Sequence, residues 1–240
     1  MARAIVTAVS ILVARFVLIQ LALWVAPWLG ITGWYAGLFA NFWCVVAALI
    51  LVRWLQLGHG QGVMLLWHSR RAAVWLLPFL AEALMWLVAP GDFAMREPGW
   101  ALWILTLLMV GINEELFHRM AVLSTLRRAL GPVASAVLGG ALFGLAHLSL
   151  LATTSRAVDD VLLNVLASAT YGFALAAFQL RFHWLAPLFL VHALADFTVL
   201  MTTPAPFAAY LLVHVGFVLL GVLLLRSQPA RAGRQSRPVR

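Results

Sequence analysis

The chain has 240 residues, of which 64% are hydrophobic and only 10% are charged. A soluble domain carries about 25% charged residues, so this composition excludes an ordinary soluble enzyme and predicts a helical membrane protein. Apart from histidine, every basic residue is an arginine, and five of the 16 arginines lie in the last fifteen positions. Basic segments beside apolar helices are typical of topology signals, and no nucleic-acid motif accompanies them. We therefore expect contact with membrane lipids and no nucleic-acid partner.

Long apolar segments follow one another along the chain, and each can cross ~30 Å of hydrocarbon as a helix. They predict an all-α, polytopic transmembrane helical bundle of about eight spans. The spans are expected at about 4–29, 33–54, 72–89, 99–130, 133–151, 158–180, 184–202 and 206–225. A polar stretch from Gln56 to Arg71 separates the second span from the third, and Pro90-Gly91 ends the third. Gly131-Pro132 separates the fourth span from the fifth.

Small residues and arginines add two expectations about the arrangement of the spans. The patterns Gly140-x-x-x-Gly144 and Ser168-x-x-x-Gly172 predict faces on which helix backbones approach closely. Most arginines fall on one side of the bundle if both termini are cytoplasmic, as the positive-inside rule requires. We expect three regions: N-terminal transmembrane helices over 1–98, a core over 99–202, and a last helix with a basic cytoplasmic tail over 203–240.

The fourth span ends in a polar motif that begins at Asn113 and includes Glu114, Glu115, His118 and Arg119. A charged side chain in hydrocarbon costs roughly 2.5–3.5 kcal/mol on insertion scales, so such residues mark functional sites by default. Glu115 and Arg119 are four residues apart and predict an ion pair on one helix face. Glu114 points about 100° away, which leaves it free for chemistry, and His118 can touch it. The alternative is a buried polar cluster that only holds helices together.

Two later spans carry further polar residues at helical spacing. His147 follows Phe143 by one turn, and its place one tight turn after the acidic helix favours a catalytic role over ordinary packing. His192 and Asp196 are four residues apart and share one helix face. An aspartate in that position can orient a histidine and support its charged form.

Two other ionisable residues lie in the predicted spans, Arg15 in the first and Glu82 in the third. Arg15 is interpreted as snorkelling to the membrane surface or pairing with Glu82. Glu82 is interpreted as structural, either paired or near a lipid headgroup. Neither residue is assigned to the site.

Three motifs, on the fourth, fifth and seventh spans, together resemble the CAAX protease and bacteriocin-processing family (CPBP/Abi), which includes the type II CAAX prenyl endopeptidases. The resemblance covers about residues 99–202, and no motif is specific by itself. The motifs are Glu114-Glu115-x-x-x-Arg119, Phe143-x-x-x-His147 and His192-x-x-x-Asp196.

The resemblance implies a CAAX-type intramembrane endopeptidase that uses water as its nucleophile. Glu114 and His147 would hold and activate that water, with Glu114 as general base. His192, with the residue at position 196, would stabilise the oxyanion of the tetrahedral intermediate. The implied supporting residues are Glu115, Arg119 and Phe143.

The chain departs from the family at position 196, where many members carry asparagine and this sequence has Asp196. An asparagine amide donates a hydrogen bond to an oxyanion, whereas an ionised aspartate only accepts. Asp196 must therefore be protonated, or it must orient His192. We favour orientation.

The implied reaction has two possible forms, one without a metal and one with zinc. A water activated by glutamate needs no cofactor, whereas Glu114, His147 and His192 could form a three-ligand zinc site with one open position. The chain has no His-Glu-x-x-His helix of the kind that identifies zinc peptidases. We therefore favour a metal-free site without a cofactor and keep zinc as the alternative.

The expected substrate is a peptide or lipidated protein in the membrane, either a prenylated CAAX-type protein or a bacteriocin-like peptide. The arginine-only, alanine-rich and tryptophan-rich composition hints at a bacterial protein of the inner (plasma) membrane. The arginine distribution places the acidic motif toward the cytoplasmic side. The alternatives are a non-catalytic membrane scaffold or immunity protein that retains the fold, or a transporter that uses the buried acids. Cleavage of a reporter peptide that depends on Glu114 would separate the enzyme from both.

Overall fold

The computed structural model describes residues 1–56, 67–88, 93–94, 96–202 and 207–226. Within these ranges the chain is built from helices and turns, and the one β contact is an isolated bridge between Phe93 and Thr202. The predicted all-α class is therefore confirmed. Most of the predicted polar stretch (57–66), the Pro90-Gly91 break and the basic tail beyond 226 lie outside the described residues.

The helices are numbered in chain order. They are α1 Ala2–Val25, α2 Trp34–Trp54, α3 Arg70–Val74, α4 Leu77–Val88, α5 Trp100–Glu115, α6 Leu123–Arg127, α7 Pro132–Ala146, α8 Leu150–Thr153, α9 Val158–Phe182, α10 Ala186–Met201 and α11 Phe207–Arg226. Short 3₁₀ turns extend α1 over Ala26–Leu29 and join α7 to α8 over His147–Ser149.

Each of the eight predicted spans contains a helix at about the expected position. Five continuous helical stretches are long and apolar enough to cross a membrane: Ala2–Leu29, Trp34–Trp54, Trp100–Arg127, Pro132–Thr153 and Val158–Phe182. Helix α10 and the part of α11 from Leu211 to Arg226 are shorter apolar helices. The protein is therefore a polytopic membrane protein, while the number of eight spans stays a prediction.

The third predicted span, 72–89, is not one helix. A turn at Trp75 and Leu76 divides it into α3 and α4. Pro78 is the second residue of α4. Proline fits the first turn of a helix, but its ring would clash with the carbonyl of Val74 if α3 continued through this point. The prediction of a single helix was wrong because it overlooked this proline.

The helical stretch that begins with α5 continues beyond the acidic motif, as predicted, but its hydrogen bonding changes from α-helical to π-helical. Residues Leu116–Val122 form a π-helix, and α6 then runs to Arg127. In a π-helix each N–H bonds to the carbonyl five residues earlier, and such turns occur frequently at functional sites. All seven residues of this segment are buried, so it crosses the middle of the bundle.

Helices α7 and α9 lie in close contact through glycines. A Cβ atom on Gly140 would lie 2.8 Å from the carbonyl oxygen of Ala169 and 2.7 Å from the backbone nitrogen of Phe173. A Cβ atom on Gly172 would lie 2.7 Å from Cδ1 of Phe143. The predicted close approach of these helices is confirmed, and it presses α9 against the Phe143 side chain.

A second close crossing joins α5 to α10 at Gly111, a residue that the sequence analysis did not single out. A Cβ atom there would lie 2.6 Å from the carbonyl oxygen of Phe189 and 3.3 Å from the backbone nitrogen of Ala193. Only a glycine allows this approach. The crossing lies one helical turn before Glu115 and brings His192 of α10 next to the acidic motif.

Candidate active site

A cavity of about 290 Å³ lies between α1, α2, α5, α10 and the end of α7. Its wall combines apolar side chains with a concentrated set of polar ones. The ionisable and amide side chains that line it are Arg15, Gln20, Asn41, Glu114, His118, His147 and Asp196. The cavity therefore brings together three of the four predicted catalytic residues, which come from three different helical segments of the chain.

The two carboxylate oxygens of Glu114 have different surroundings. Oε1 accepts a hydrogen bond from Nη2 of Arg15 at 2.7 Å. Oε2 lies 3.7 Å from Nε2 of His192. The side chain of Glu114 is 13% exposed, so it is the more accessible of the two adjacent glutamates. One oxygen of the carboxylate is thus occupied, and the other faces the histidine.

Arg15 corrects two expectations from the sequence. Its predicted partner, Glu82, instead accepts a hydrogen bond from Nε1 of Trp86 at 2.8 Å. The true partner of Arg15 is Glu114, which the spacing had left without an ion pair. The pairing was missed because the two residues are 99 positions apart, and no local pattern connects them.

Glu115 is fully buried and has two partners. Its Oε2 lies 3.1 Å from Nε of Arg119, so the ion pair predicted from the spacing of four residues is present. The alignment is that of an ion pair rather than of a hydrogen bond, because Nε of Arg119 makes no hydrogen bond within the described residues. The other oxygen, Oε1, is 2.9 Å from Nδ1 of His192. Glu115 therefore connects the acidic helix to α10.

The ring of Phe143 lies at the centre of the site. The guanidinium of Arg119 lies over it, 4.7 Å from its centroid, which is a cation–π geometry. Three histidine rings also contact it edge to face, with centroid distances of 4.8 Å for His118, 5.2 Å for His147 and 5.7 Å for His192. Phe143 is buried, so this packing restricts the orientation of all three rings.

His147 lies at the end of α7, in the 3₁₀ turn, and it lines the cavity. Its Nδ1 is 3.0 Å from the backbone carbonyl oxygen of Phe143. A carbonyl oxygen can only accept, so Nδ1 carries the hydrogen. In the neutral ring, Nε2 is then left as a hydrogen-bond acceptor.

His192 lies among three carboxylates. Besides its contacts with Glu114 and Glu115, its Nε2 is 3.6 Å from Oδ2 of Asp196. The only contact of these three at hydrogen-bond distance is that with Glu115. The orienting role that we favoured for Asp196 is therefore filled at Nδ1 by Glu115, whereas Asp196, with its side chain 37% exposed, lies at the cavity.

His118 does not have the hydrogen bond that its spacing from Glu114 suggested. Both of its ring nitrogens lack a hydrogen-bond partner within the part of the chain that the structure describes. The ring is 1% exposed and packs against Phe143 at the edge of the cavity. Its position is that of a packing residue of the cavity wall.

The donor set of the zinc alternative can be tested against these distances. Among the described residues, no group of three or more His, Cys, Asp and Glu side chains is arranged to hold a metal ion. In this arrangement Glu114, His147 and His192 therefore do not form a three-ligand metal group. Whether the reaction depends on a metal stays a prediction.

Comparison with known proteins adds one finding. Residues 96–198 match the family model described as Rce1-like, type II CAAX prenyl endopeptidase. Searches of curated proteins and of solved structures each found no match. The matched residues contain all three motifs, and α1, α2 and α4 precede them. Over residues 96–198 the chain is thus similar to the Rce1-like type II CAAX prenyl endopeptidases, and the resemblance inferred from the motifs is confirmed.

Proposed function

We propose that this protein is an intramembrane endopeptidase that hydrolyses a peptide bond of a membrane-associated substrate with a water molecule activated by Glu114. The observation that carries the proposal is the shared cavity of Glu114, His147 and Asp196, with His192 directly behind the first of these. A carboxylate base, an acceptor histidine and a second histidine beside them are the groups that peptide hydrolysis by water requires.

Glu114 acts as the general base through Oε2, because Oε1 is engaged by Arg15. A water molecule between Oε2 and Nε2 of His147 gives its proton to Glu114 while its oxygen bonds to the carbonyl carbon of the scissile peptide. Holding the water between two acceptors lowers the entropic part of the barrier. The carbonyl oxygen thereby becomes an oxyanion.

His192 stabilises this oxyanion. Its Nδ1 donates to Glu115, so its Nε2 donates only when the ring carries a second proton. In that form the Nε2–H lies next to Glu114 and Asp196. There it donates to the oxygen of the scissile carbonyl, on which negative charge develops during the attack. Donors fixed in advance at such a position are a large source of catalysis. The proton on Glu114 then moves to the leaving nitrogen as the C–N bond breaks.

The proposed substrates are peptides or lipidated proteins that reach the cavity from the membrane, either prenylated CAAX-type or bacteriocin-like. The arginine distribution supports cytoplasmic termini, an even number of spans such as eight and a site toward the cytoplasmic side. We propose a bacterial inner membrane from the arginine-only, alanine-rich and tryptophan-rich composition. We propose the same three regions as before: helices over 1–98, the catalytic core over 99–202 and the last helix with its tail over 203–240. The proposed chemistry uses water without a cofactor, and zinc remains its alternative.

One observation favours a second candidate, a non-catalytic scaffold or immunity protein that retains the fold. Both adjacent glutamates are engaged by arginines, Glu114 by Arg15 and Glu115 by Arg119. Ion pairs of this kind would also be present if the carboxylates only held helices together. This candidate predicts a Glu114-independent biological effect and no peptide cleavage.

The test is cleavage of internally quenched peptides by the purified protein in liposomes. The peptides carry a prenylated cysteine or an unmodified one near the C-terminus. We expect Glu114→Gln to lower kcat by about 10³-fold, because the base is lost while the amide keeps the shape of the side chain. Cleavage in ¹⁸O-labelled water should place the label in the new carboxyl group.

The matched control is Glu97→Gln, which removes an exposed carboxylate before the first residue of α5. This variant should cleave like the wild type. Equal activity of Glu114→Gln and the wild type would overturn the proposed function, and so would a wild type that leaves every peptide of the set intact.

A further inference from the structure

The wall of the cavity is completed by residues that lie outside the region matched to the family. Arg15 of α1 and Asn41 of α2 both line it, and both precede residue 96. Among the residues that the structure describes, Arg15 is the only arginine that lines this cavity. Its side chain is 11% exposed, so its charge is mostly removed from solvent.

A continuous chain of hydrogen bonds holds this arginine. Nε of Arg15 donates to Oδ1 of Asn113 at 3.0 Å, next to the 2.7 Å bond from Nη2 to Glu114. Nδ2 of Asn113 donates to Oδ1 of Asn41 at 2.7 Å and to the backbone carbonyl of Met109 at 3.0 Å. Nδ2 of Asn41 in turn donates to the backbone carbonyl of Gly37 at 2.9 Å. Asn113 is fully buried, so these bonds are made away from competing water.

The guanidinium therefore holds two consecutive side chains of α5 at once. Its planar, rigid fork has donors in fixed directions, which a lysine ammonium lacks. A third contact comes from the ring of Phe117, whose centroid is 6.0 Å from Cζ of Arg15. With Nε on Asn113 and Nη2 on Glu114, rotation of the Glu114 carboxylate would break a charge-assisted hydrogen bond.

We propose that Arg15 is a positioning residue for the reaction: it fixes Oε1 of Glu114 and thereby makes Oε2 the basic atom. This inference rests on the proposed role of Glu114 as general base. Arg15 does not touch the reacting atoms and acts through the carboxylate. The N-terminal helices are then part of the active site. A fragment limited to the family-matched residues 96–198 would contain Glu114 but lack Arg15, which orients it.

A purely structural arginine would also join α1 to α5, so the experiment must separate the two roles. Loss of orientation lowers kcat and leaves KM unchanged, because substrate binding does not need the angle of the Glu114 carboxylate. A misplacement of about 1 Å at a catalytic group can cost about 10²-fold in rate. The open cavity also gives access to the space that Arg15 would leave.

The experiment compares Arg15→Ala, Arg15→Lys and the wild type in the liposome assay, with added ethylguanidinium or ethylurea. We expect Arg15→Ala to lower kcat by about 10²-fold with KM unchanged. Millimolar ethylguanidinium should restore at least a tenth of the lost rate, whereas neutral ethylurea of similar shape should restore none. Arg15→Lys should fall between the two, because it keeps the charge but not the fork.

The control is Arg156→Ala, which removes an exposed arginine that forms a 2.6 Å ion pair with Asp160. It should keep the wild-type kcat and should not respond to ethylguanidinium. If Arg15→Ala does not fold, as judged by its melting curve, Arg15→Lys decides. A lower kcat at unchanged KM supports the inference, and full activity overturns it.

Two further results would overturn the inference while leaving the proposed function intact. One is a wild-type kcat in folded Arg15→Ala. The other is a loss that both additives restore equally, or that neither restores. If the wild type and Glu114→Gln do not differ, the failure belongs to the proposed function.

Discussion

The two sides of the acidic helix place their carboxylates in different surroundings. On the cavity side, formed by Arg15, Glu114, His147 and Asp196, the glutamate is 13% and the aspartate 37% exposed. On the core side, formed by Glu115, Arg119 and Phe143, both members of the ion pair are 0% exposed. Adjacent residues on a helix point about 100° apart, which is enough to place one carboxylate at a cavity and the next in a sealed core. Glu114 and Glu115 therefore have different roles although they are adjacent in the sequence.

His192 is the contact between the two sides. Nδ1 faces the core side through Glu115, and Nε2 faces the cavity side through Glu114 and Asp196. A carboxylate that accepts a hydrogen bond from one ring nitrogen, as Glu115 does, fixes the tautomer and the orientation of the histidine ring. The core side therefore affects chemistry only through the position of His192, while the cavity side affects it directly.

The largest expected effect is that of Arg119→Met, which removes the cation of the ion pair on the core side. This leaves the buried carboxylate of Glu115 without its cation, and an uncompensated buried charge is strongly destabilising. We expect the free energy of unfolding to fall by about 3–5 kcal/mol. Denaturant titration of the protein in detergent micelles measures the change.

Arg128→Met is the matched control, because Arg128 is exposed near the end of the same helical stretch. Its stability should stay within about 0.5 kcal/mol of the wild type. The double variant Glu115→Leu with Arg119→Met should be more stable than Arg119→Met alone, since no unpaired charge remains. A single variant as stable as the wild type would contradict the assignment of the core side to assembly.

An intermediate effect is expected from Gly111→Ala, which separates the two sides by moving α10. The added Cβ would lie 2.6 Å from the carbonyl oxygen of Phe189, so the helices must move apart. We expect a loss of about 1–3 kcal/mol in stability and a lower kcat, because His192 moves away from both glutamates. Unfolding and peptide cleavage are measured on the same preparation.

Gly216→Ala controls for the substitution itself, since a Cβ atom at Gly216 meets no other atom within 4 Å. This variant should match the wild type in both measurements. A fully active Gly111→Ala would show that the contact between α5 and α10 is not needed to place His192.

The smallest effect is expected on the cavity side at Asp196, which lies 3.6 Å from His192 without a hydrogen bond between them. Asp196→Asn should leave kcat close to the wild-type value, because the amide keeps the size and the hydrogen-bonding capacity of the side chain. Asp196→Ala should lower kcat by about 10-fold, the low end for one lost polar interaction in a site. A harmless alanine would contradict any role of Asp196 in the reaction.

Much of the fold could be predicted from the sequence, because it follows from local patterns. Apolar length predicts the helices, and the four-residue spacing predicts the ion pair of Glu115 with Arg119. Small residues four apart predict faces of close helix approach, and α7 and α9 use such faces in their contact. The helix break at Pro78 could also have been predicted, because proline interrupts a helix. It was missed because the long apolar run was given more weight than this one residue.

The arrangement of the site could be predicted only in part. The three motifs identify the helices that meet, but not which atoms pair across them. Arg15 was expected to snorkel or to pair with Glu82, because both residues lie in apolar spans, and charge alone cannot choose between Glu82 and Glu114. In the same way, the orienting partner of His192 was expected four residues away at Asp196. The actual partner, Glu115, is 77 positions distant and is placed there by the crossing at Gly111.

The ion pair of Arg15 with Glu114 also bears on the order in which the bundle is assembled. Helix α1 is synthesised before α5, and Arg15 precedes Glu114 by 99 residues. Until α5 follows, Arg15 lacks the Glu114 carboxylate, and a long side chain in that position reaches toward the headgroups. Helix α1 can therefore reach its final depth only late in biogenesis. The final placement of α1 is then coupled to the insertion of α5, the helix that carries the proposed base.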